Sequence, residues 1–481
     1  MKKTKFSQYN LSEEILKALE LMGFENSTEV QHDVIPTVLE KHDVIVKSQT
    51  GSGKTAAFGI PVCQLIDWDE NKAQALVITP TRELALQVRE DIFNIGRFKR
   101  IKVAAVYGKA PFWRQEKELK QKTHIVSGTP GRIIDHIEKG TLDLSMVKYL
   151  VIDEADEMLN MGFIEQLHKI ISSLPKDRTT MLFSATMPND IESLCQKYMN
   201  NPKKFEIEVD NSSKVKIIQE LYNVEHKDKV QLLKRLTTVV NPDSCIVFCN
   251  TKQKVDEVDD ELYELGYTCD RIHGGMEQKD RIEVMNNFKA GNFRYLIATD
   301  VAARGIDVDN ISLVVNFDIP QDAETYVHRI GRTGRNGKEG HAVTFVASRE
   351  SRYLKDIEAY IESKIEVKSE PSREDLNNAK IEFDEKMKTR PKMAESKSEK
   401  LNKDILKIHI NAGKKTKMRA VDIVGTLCSI EGMSADDIGI INVMDISTFV
   451  EILNGKGEMV FAALQNKNIK GRTRRVSRAN D

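Results

Sequence analysis

Short apolar runs alternate with amphipathic stretches of helical period through most of this chain, and that alternation restricts the fold more than any single motif does. Residues 44–46, 75–78, 103–106, 124–126, 149–152 and 180–183 read as parallel strands buried on both faces. Amphipathic stretches such as 82–95 and 162–173 lie between them. Repeated βα units of this kind wind into one parallel sheet with helices on both faces, a doubly wound α/β domain. After a polar stretch at 210–215 the alternation restarts, with runs at 245–249, 270–272, 295–298, 313–316 and 341–345 and a helical stretch at 252–265. Two tandem α/β domains are therefore expected, over 1–207 and 216–363.

At 364–403 the chain turns dense in Lys and Glu and carries Pro371 and Pro391, so it reads as a charged linker, partly helical. Apolar patterning returns over 404–478 as strand (405–411), helix (420–430), strand (438–443), strand (448–453), helix (458–465) and strand (470–477). That βαββαβ order is a small α+β sandwich of one sheet and two helices. Three folded pieces suit 481 residues at roughly 150 per domain.

Lys plus Arg (72) balances Asp plus Glu (73), so binding to nucleic acid must come from local basic surfaces. The last 81 residues hold thirteen Lys or Arg against nine Asp or Glu, a net +4. Six Cys without a framework of close pairs suit a reducing compartment, and the cytoplasm is the expected location. No run approaches the roughly 18 apolar residues of a membrane span, so membrane roles are not expected.

Ser48, Gln49, Thr50, Gly51, Ser52, Gly53, Lys54 and Thr55 follow the first strand and precede a helical run, which brings backbone N–H groups and a helix N-terminus to one small space. Phosphates belong there. Lys54 can reach the β- and γ-phosphates and Thr55 can offer a hydroxyl to Mg²⁺, although Ser48 stands where the strict phosphate-loop pattern has Gly. The strand at 149–152 delivers acids at its C-terminal end: Asp153 suits Mg²⁺, and Glu154 can orient and deprotonate a water attacking the γ-phosphate.

Together with Gly23, Phe24 and Gln31, the segments 80–85, 129–132, 184–186, 298–307 and 328–335 follow these motifs in an order that resembles the DEAD-box ATP-dependent RNA helicases, named for the letters at 153–156. The resemblance covers residues 6 to about 350 and implies two RecA-like domains using ATP and Mg²⁺, the metal held by Thr55 and, through water, Asp153. It implies that Gln31 reads adenine and that Phe6 stacks on it, with Tyr9 a close competitor; Ser27 replaces the family's usual Pro. It further implies that Arg332 and Arg335 are arginine fingers acting with Lys54, Asp153 and Glu154. Gly305 and Asp307 complete the pocket, and Ser184, Thr186 and His328 couple it to the domain interface.

The RNA path implied by the family runs over Pro80, Thr81, Arg82, Thr129, Gly131 and Arg132 in the first domain and Gly274, Gln278, Arg281, Thr299 and Arg304 in the second. Lys109 stands where the family commonly has a second Gly. Such loops hold the sugar-phosphate chain without choosing a sequence. On the strand at 408–413, the segments 439–443 and 449–455 and the terminal basic strand, residues 404–478 resemble the RNA-recognition-motif domain of the DbpA subfamily, bacterial helicases directed to 23S ribosomal RNA, which implies a role in large-subunit assembly. His409 and Phe449 are the only rings near the expected stacking positions, whereas Lys414, Lys415, Lys417 and Arg419 form one basic cluster and Lys470, Arg472, Arg474, Arg475 and Arg478 another. RNA is thus expected on an edge and its loops, with Lys414, Lys415, Arg474 and Arg475 as contacts, in a monomer. A DNA translocase and a non-catalytic RNA clamp are the rival readings; comparing ATPase stimulation by RNA and DNA separates the first, and the intact Lys54, Glu154 and Arg335 argue against the second.

Overall fold

The computed structural model describes residues 4–48, 51–207, 217–300, 311–334, 339–391 and 401–479. Gln49, Thr50, Arg304, Gly305, Asp307 and Arg335 lie outside the described residues. The first sheet holds β1 (Val44–Lys47), β2 (Ala75–Ile78), β3 (Val103–Val106), β4 (Ile125–Gly128), β5 (Tyr149–Ile152), β6 (Thr179–Ser184) and β7 (Lys203–Glu206) in the order β3-β4-β2-β5-β6-β1-β7, all parallel. Its central strands are buried along their length, as continuous apolar runs require. Only β7 escapes the sequence pattern, because an exposed edge strand needs no apolar run.

The second sheet repeats the plan with β8 (Ile217–Asn223), β9 (Cys245–Phe248), β10 (Cys269–Ile272), β11 (Tyr295–Ala298), β12 (Leu313–Asn316), β13 (Gly340–Val346) and β14 (Glu366–Val367), ordered β10-β11-β9-β12-β13-β8-β14. β14 corrects the expected linker boundary. It pairs with β8, and the helix Arg373–Met387 then packs on the second domain, opened by a Ser372 hydroxyl that accepts from the Asp375 amide at 3.1 Å. Phe383 is buried beside Tyr267, their rings 5.8 Å apart, and buried Arg294 donates to the carbonyls of Lys386 and Thr389 that end this helix. Residues 366–389 thus belong to the second domain.

The C-terminal piece is an antiparallel sheet of β15 (Leu406–Ile410), β16 (Ile438–Val443), β17 (Thr448–Ile452) and β18 (Val476–Arg478), ordered β16-β17-β15-β18. Ile408, Ile410, Val450 and Ile452 face the helices Ala420–Cys428 and Gly457–Gln465 and share a core with Ile423, Leu427, Val460 and Leu464. β18 is shorter than expected, so Lys470, Arg472, Arg474 and Arg475 sit in the loop before it. Glycine at 471 with φ +71° and Lys470 with φ +54° turn that loop, which an extended strand does not allow.

A chain stopping at Lys364 is expected to expose the apolar face that Phe383 covers and to unfold its second domain at lower urea than a chain stopping at Arg390. Phe383→Ala in the full chain should cost about 3–5 kcal/mol. Equal urea midpoints by circular dichroism would contradict the assignment.

Candidate functional site

β1 and β6 end level with one another, Lys47 opposite Ser184, and β5 ends two residues earlier on the same side, Ile152 opposite Leu182. Their C-terminal ends carry the phosphate loop, the acids and the 184–186 segment, so the sheet gathers three motifs at one crevice. Gly51 and Gly53 take φ of +82° and +90°, and a Cβ on Gly53 would lie 2.5 Å from Gln31 Nε2. The helix Lys54–Leu65 starts there and points its N-terminus at the loop. Lys54 is buried, and its ammonium donates to the Ser48 carbonyl at 3.3 Å, lying across the loop. Ser48 donates its amide to the Ser184 carbonyl and is not a left-handed residue, so this place has no need of glycine.

Gln31 is buried against this loop. Its Oε1 accepts from the Thr28 amide at 2.9 Å and its Nε2 donates to the Gly53 carbonyl at 3.2 Å, while the Thr28 hydroxyl donates to the Ser52 carbonyl. Phe6 is buried between Tyr9 and Phe24, both at 6.1 Å between ring centres. Ser27 is fixed without the rigidity of Pro: its amide and hydroxyl donate to the Thr4 carbonyl, and the Tyr9 hydroxyl donates to its Oγ.

Glu154 caps the helix Ala155–Asn160 in the left-handed region, φ +53° and ψ +54°. Such a conformation is costly for a non-glycine residue and collects at functional sites. Asp153 is buried, and its carboxyl accepts from the Glu154 amide at 3.0 Å. Burial pushes its pKa up to about 6 against the pull of Lys54, and the charge of Glu154 adds to the rise. Among the described residues no three His, Cys, Asp or Glu converge into a metal cage. One carboxylate and the Thr55 hydroxyl beside a phosphate loop are instead the donor set that suits Mg²⁺ shared with nucleotide oxygens.

Sequence reasoning passed over three acids that the structure makes central. Asp156 Oδ2 accepts from the amides of Ala185 and Thr186 and from the Thr186 hydroxyl, at 2.8–3.1 Å, and its own amide donates to the Ser184 hydroxyl. Glu157 meets His328 of the second domain at 3.0 Å. Glu83 Oε1 accepts from Gln278 and pairs with Arg281 at 2.9 Å, and Arg82 donates to Gln278 at 2.9 Å. The structure therefore brings Arg82, Gln278 and Arg281 together across the domain interface. Their positions beside known motifs are the signal that could have found these acids.

The remaining loop residues stand as expected at strand ends. Thr81 caps the helix Arg82–Ile95 after β2, and Thr129 opens the helix Pro130–Glu138 after β4. Arg132 donates to Gln115 and the Ala110 carbonyl, and Thr299 follows β11 with its amide bonded to the Ile272 carbonyl. Gly274 has open space where a Cβ would be. Arg332 is buried at the end of the helix Ala323–Ile330. In the tail, the amides of Lys414 and Lys415 donate to the carbonyls of Met444 and Asp445, and His409 lies opposite Phe449 with rings 5.0 Å apart.

Residues 28–194 match the DEAD/DEAH box helicase family, 228–337 the helicase conserved C-terminal domain, and 407–478 the DbpA RNA binding domain. The ATP-dependent RNA helicase DbpA of Bacillus subtilis (strain 168) is 58% identical over 475 residues, 99% of each chain. The DEAD-box ATP-dependent RNA helicase CshA of Geobacillus kaustophilus is 47% identical over 77% of this chain and 79% of its own. Among solved structures, S. cerevisiae Dbp5 bound to RNA and ADP BeF3 superimposes with a TM-score of 0.70 at 30% identity, covering 80% of this chain and 100% of that one.

With no metal bound, the raised pKa of Asp153 means that stability falls as pH rises from about 4 through about 6, since the folded state holds the proton that the unfolded state has lost. Asp153→Asn should therefore raise the metal-free melting stability at pH 8, by on the order of 1–2 kcal/mol, with the gap narrowing towards pH 4. The same variant should lose Mg²⁺-dependent nucleotide binding. A variant less stable than wild type at pH 8 would overturn the placement of a strained buried charge.

Proposed function

Because this chain belongs to the DEAD-box ATP-dependent RNA helicases, we propose that it spends ATP to part or remodel short duplexes of 23S ribosomal RNA in large-subunit assembly, as a cytoplasmic monomer. One observation carries the choice of target: the likeness to the Bacillus subtilis relative runs through the tail, whose basic loops are appended to a core that grips backbone alone.

In this reading the amides of the phosphate loop and Lys54 bind the β- and γ-phosphates, and Gln31 and Phe6 address the adenine. Thr55 and, through water, Asp153 would hold Mg²⁺, which would screen phosphate charge. Glu154 holds a water in line with the γ-phosphorus and takes its proton as the water oxygen bonds to phosphorus. The bond from the γ-phosphorus to the β–γ bridging oxygen breaks, and ADP and phosphate leave. Arg332 and Arg335 neutralise charge on the transferring group, so hydrolysis requires both domains. Asp156, through Ser184 and Thr186, and Glu157, through His328, tie the state of the pocket to the second domain.

Glu154→Gln should keep ATP and RNA binding and reduce turnover by about 10²–10⁴-fold, measured as steady-state phosphate release. Loss of nucleotide binding in parallel would remove Glu154 from the role of base.

A chain stopping at Arg390 should hydrolyse ATP yet lose the preference for 23S ribosomal RNA over an unrelated RNA of equal length. Neutralising Lys414, Lys415, Arg474 and Arg475 in the full chain should flatten the salt dependence of binding, by about 0.7–0.9 in log–log slope for each phosphate that the tail no longer neutralises. A shortened chain that discriminates as well as the whole would place specificity in the core.

A further inference from the structure

The C-terminal sheet has helices on one face only. On its other face Lys407 lies opposite Glu451 and His409 opposite Phe449. Glu451 is nevertheless buried, because the turn that follows the helix Arg82–Ile95 of the first domain covers it. Arg97 from that turn pairs with Glu451 at 3.2 Å, both side chains under 10% exposed, and reaches Asn402. Arg100 donates to the carbonyls of Ile438 and Ala435, and Lys102 to that of Ile441, at 2.6–2.9 Å. β16 is an edge strand, and these cations satisfy carbonyls that an edge leaves unpaired. At the rim Lys117 pairs with Asp445 at 3.1 Å and Lys17 donates to Asn454.

Each of these contacts has its cation on the first domain and its acceptor on the tail side. Arg100 holds a left-handed backbone, φ +60°, in the turn that aims it, and Gly439 leaves room for Glu451, since a Cβ there would lie 2.9 Å from Glu451 Cβ. Leu401, just before β15, is buried in the core cluster of the first domain. Arg97 Nε and one Glu451 oxygen are buried without a hydrogen-bond partner. A buried pair so incompletely satisfied adds little net stability, but it penalises any arrangement that separates its members inside the contact. It sets register.

We infer that the open sheet face and the β16 edge of the C-terminal domain are a docking surface for the first helicase domain, so that the two move as one body through the ATPase cycle. The partner is the cationic turn and strand entry at 97–102 of the same chain. RNA held by the tail is then carried at a set position beside the first-domain loops instead of on a free tether. That consequence rests on the function proposed above; the docking itself does not.

The test uses the full chain with Cys428, the exposed cysteine, changed to Ser, and with cysteines replacing the rim residues Lys17 and Asn454. A short bis-maleimide should join the two within the chain, both without ligands and with an ATP analogue and RNA. Arg97→Glu should slow that reaction about tenfold or more, and adding Glu451→Arg should restore it. Lys117→Glu with Asp445→Lys, an exposed pair on which folding does not depend, should give a smaller loss and rescue in the same direction. An unaltered rate in Arg97→Glu, no rescue by the exchanged pair, or loss of the cross-link on adding ATP analogue and RNA would overturn the inference. Preference for 23S over unrelated RNA, measured in parallel, keeps the two proposals apart. Failed cross-linking with the preference intact removes the docking alone, and an intact cross-link without preference removes the RNA target alone.

Discussion

One buried carboxylate, that of Asp156, joins the nucleotide crevice to everything that must respond to it. β5 and β6 are adjacent and in register, so an acid four residues past the first can reach the backbone amides just past the second. Charge-assisted bonds to amides are among the stronger ones available in a low-dielectric site. The same short helix sends Glu157 to His328, and the left-handed residue that caps it is Glu154. The proposed base, the Asp156 hydrogen-bond cluster and the interdomain contact therefore share about one turn of helix. A shift of that turn by a fraction of an ångström is felt at all three, because packed interiors transmit displacement.

The central strands were legible almost residue for residue, since strands buried on both faces must be continuously apolar. β2, β5, β11 and β12 begin and end where the pattern does, as does the helix Arg82–Ile95. Besides β8, Ile-Ile-Gln-Glu-Leu-Tyr-Asn, what escaped was structure whose apolar content is thin. β7 reads Lys-Lys-Phe-Glu, β14 is two exposed residues, and the helix Arg373–Met387 buries Phe383 on a face surrounded by Lys and Glu. Composition there resembles a tether, and one aromatic anchor decides otherwise. Lys109 shows the converse: it accepts φ +56° where the family pattern commonly places Gly, so the motif's geometry persists at a local cost of about 1–2 kcal/mol.

At the site, residue types were legible and partners were not. Lys54, Asp153 and Glu154 announce their chemistry by type and spacing, because phosphate and water recognition need those groups at strand ends. Asp156, Glu157 and Glu83 act through residues 28 to 198 positions away in the chain, a relation no local pattern encodes. Gln31 is intermediate. Its amide was expected at the adenine; in the structure its oxygen accepts from Thr28 and its nitrogen donates to Gly53, so the side chain braces the phosphate loop.

Several residues expected to grip RNA contact one another across the domain interface. Gln278 and Arg281 meet the Glu83 carboxylate, and Arg82 joins the cluster through Gln278, so a carboxylate sits among groups expected to contact phosphate. Burial lowers the pKa of the Arg82 guanidinium, although no accessible pH removes its charge. An incoming phosphate chain must exchange these bonds for its own and leave Glu83 near anionic oxygens, so only the difference between the two sets appears as affinity. Contacts that span both domains are remade only when both domains present their loops together. In the proposed reading, RNA binding through this cluster is conditional on domain geometry, and the Glu157–His328 contact links that geometry to the nucleotide crevice. Coupling then needs no dedicated switch, because both ligands draw on one set of interdomain contacts.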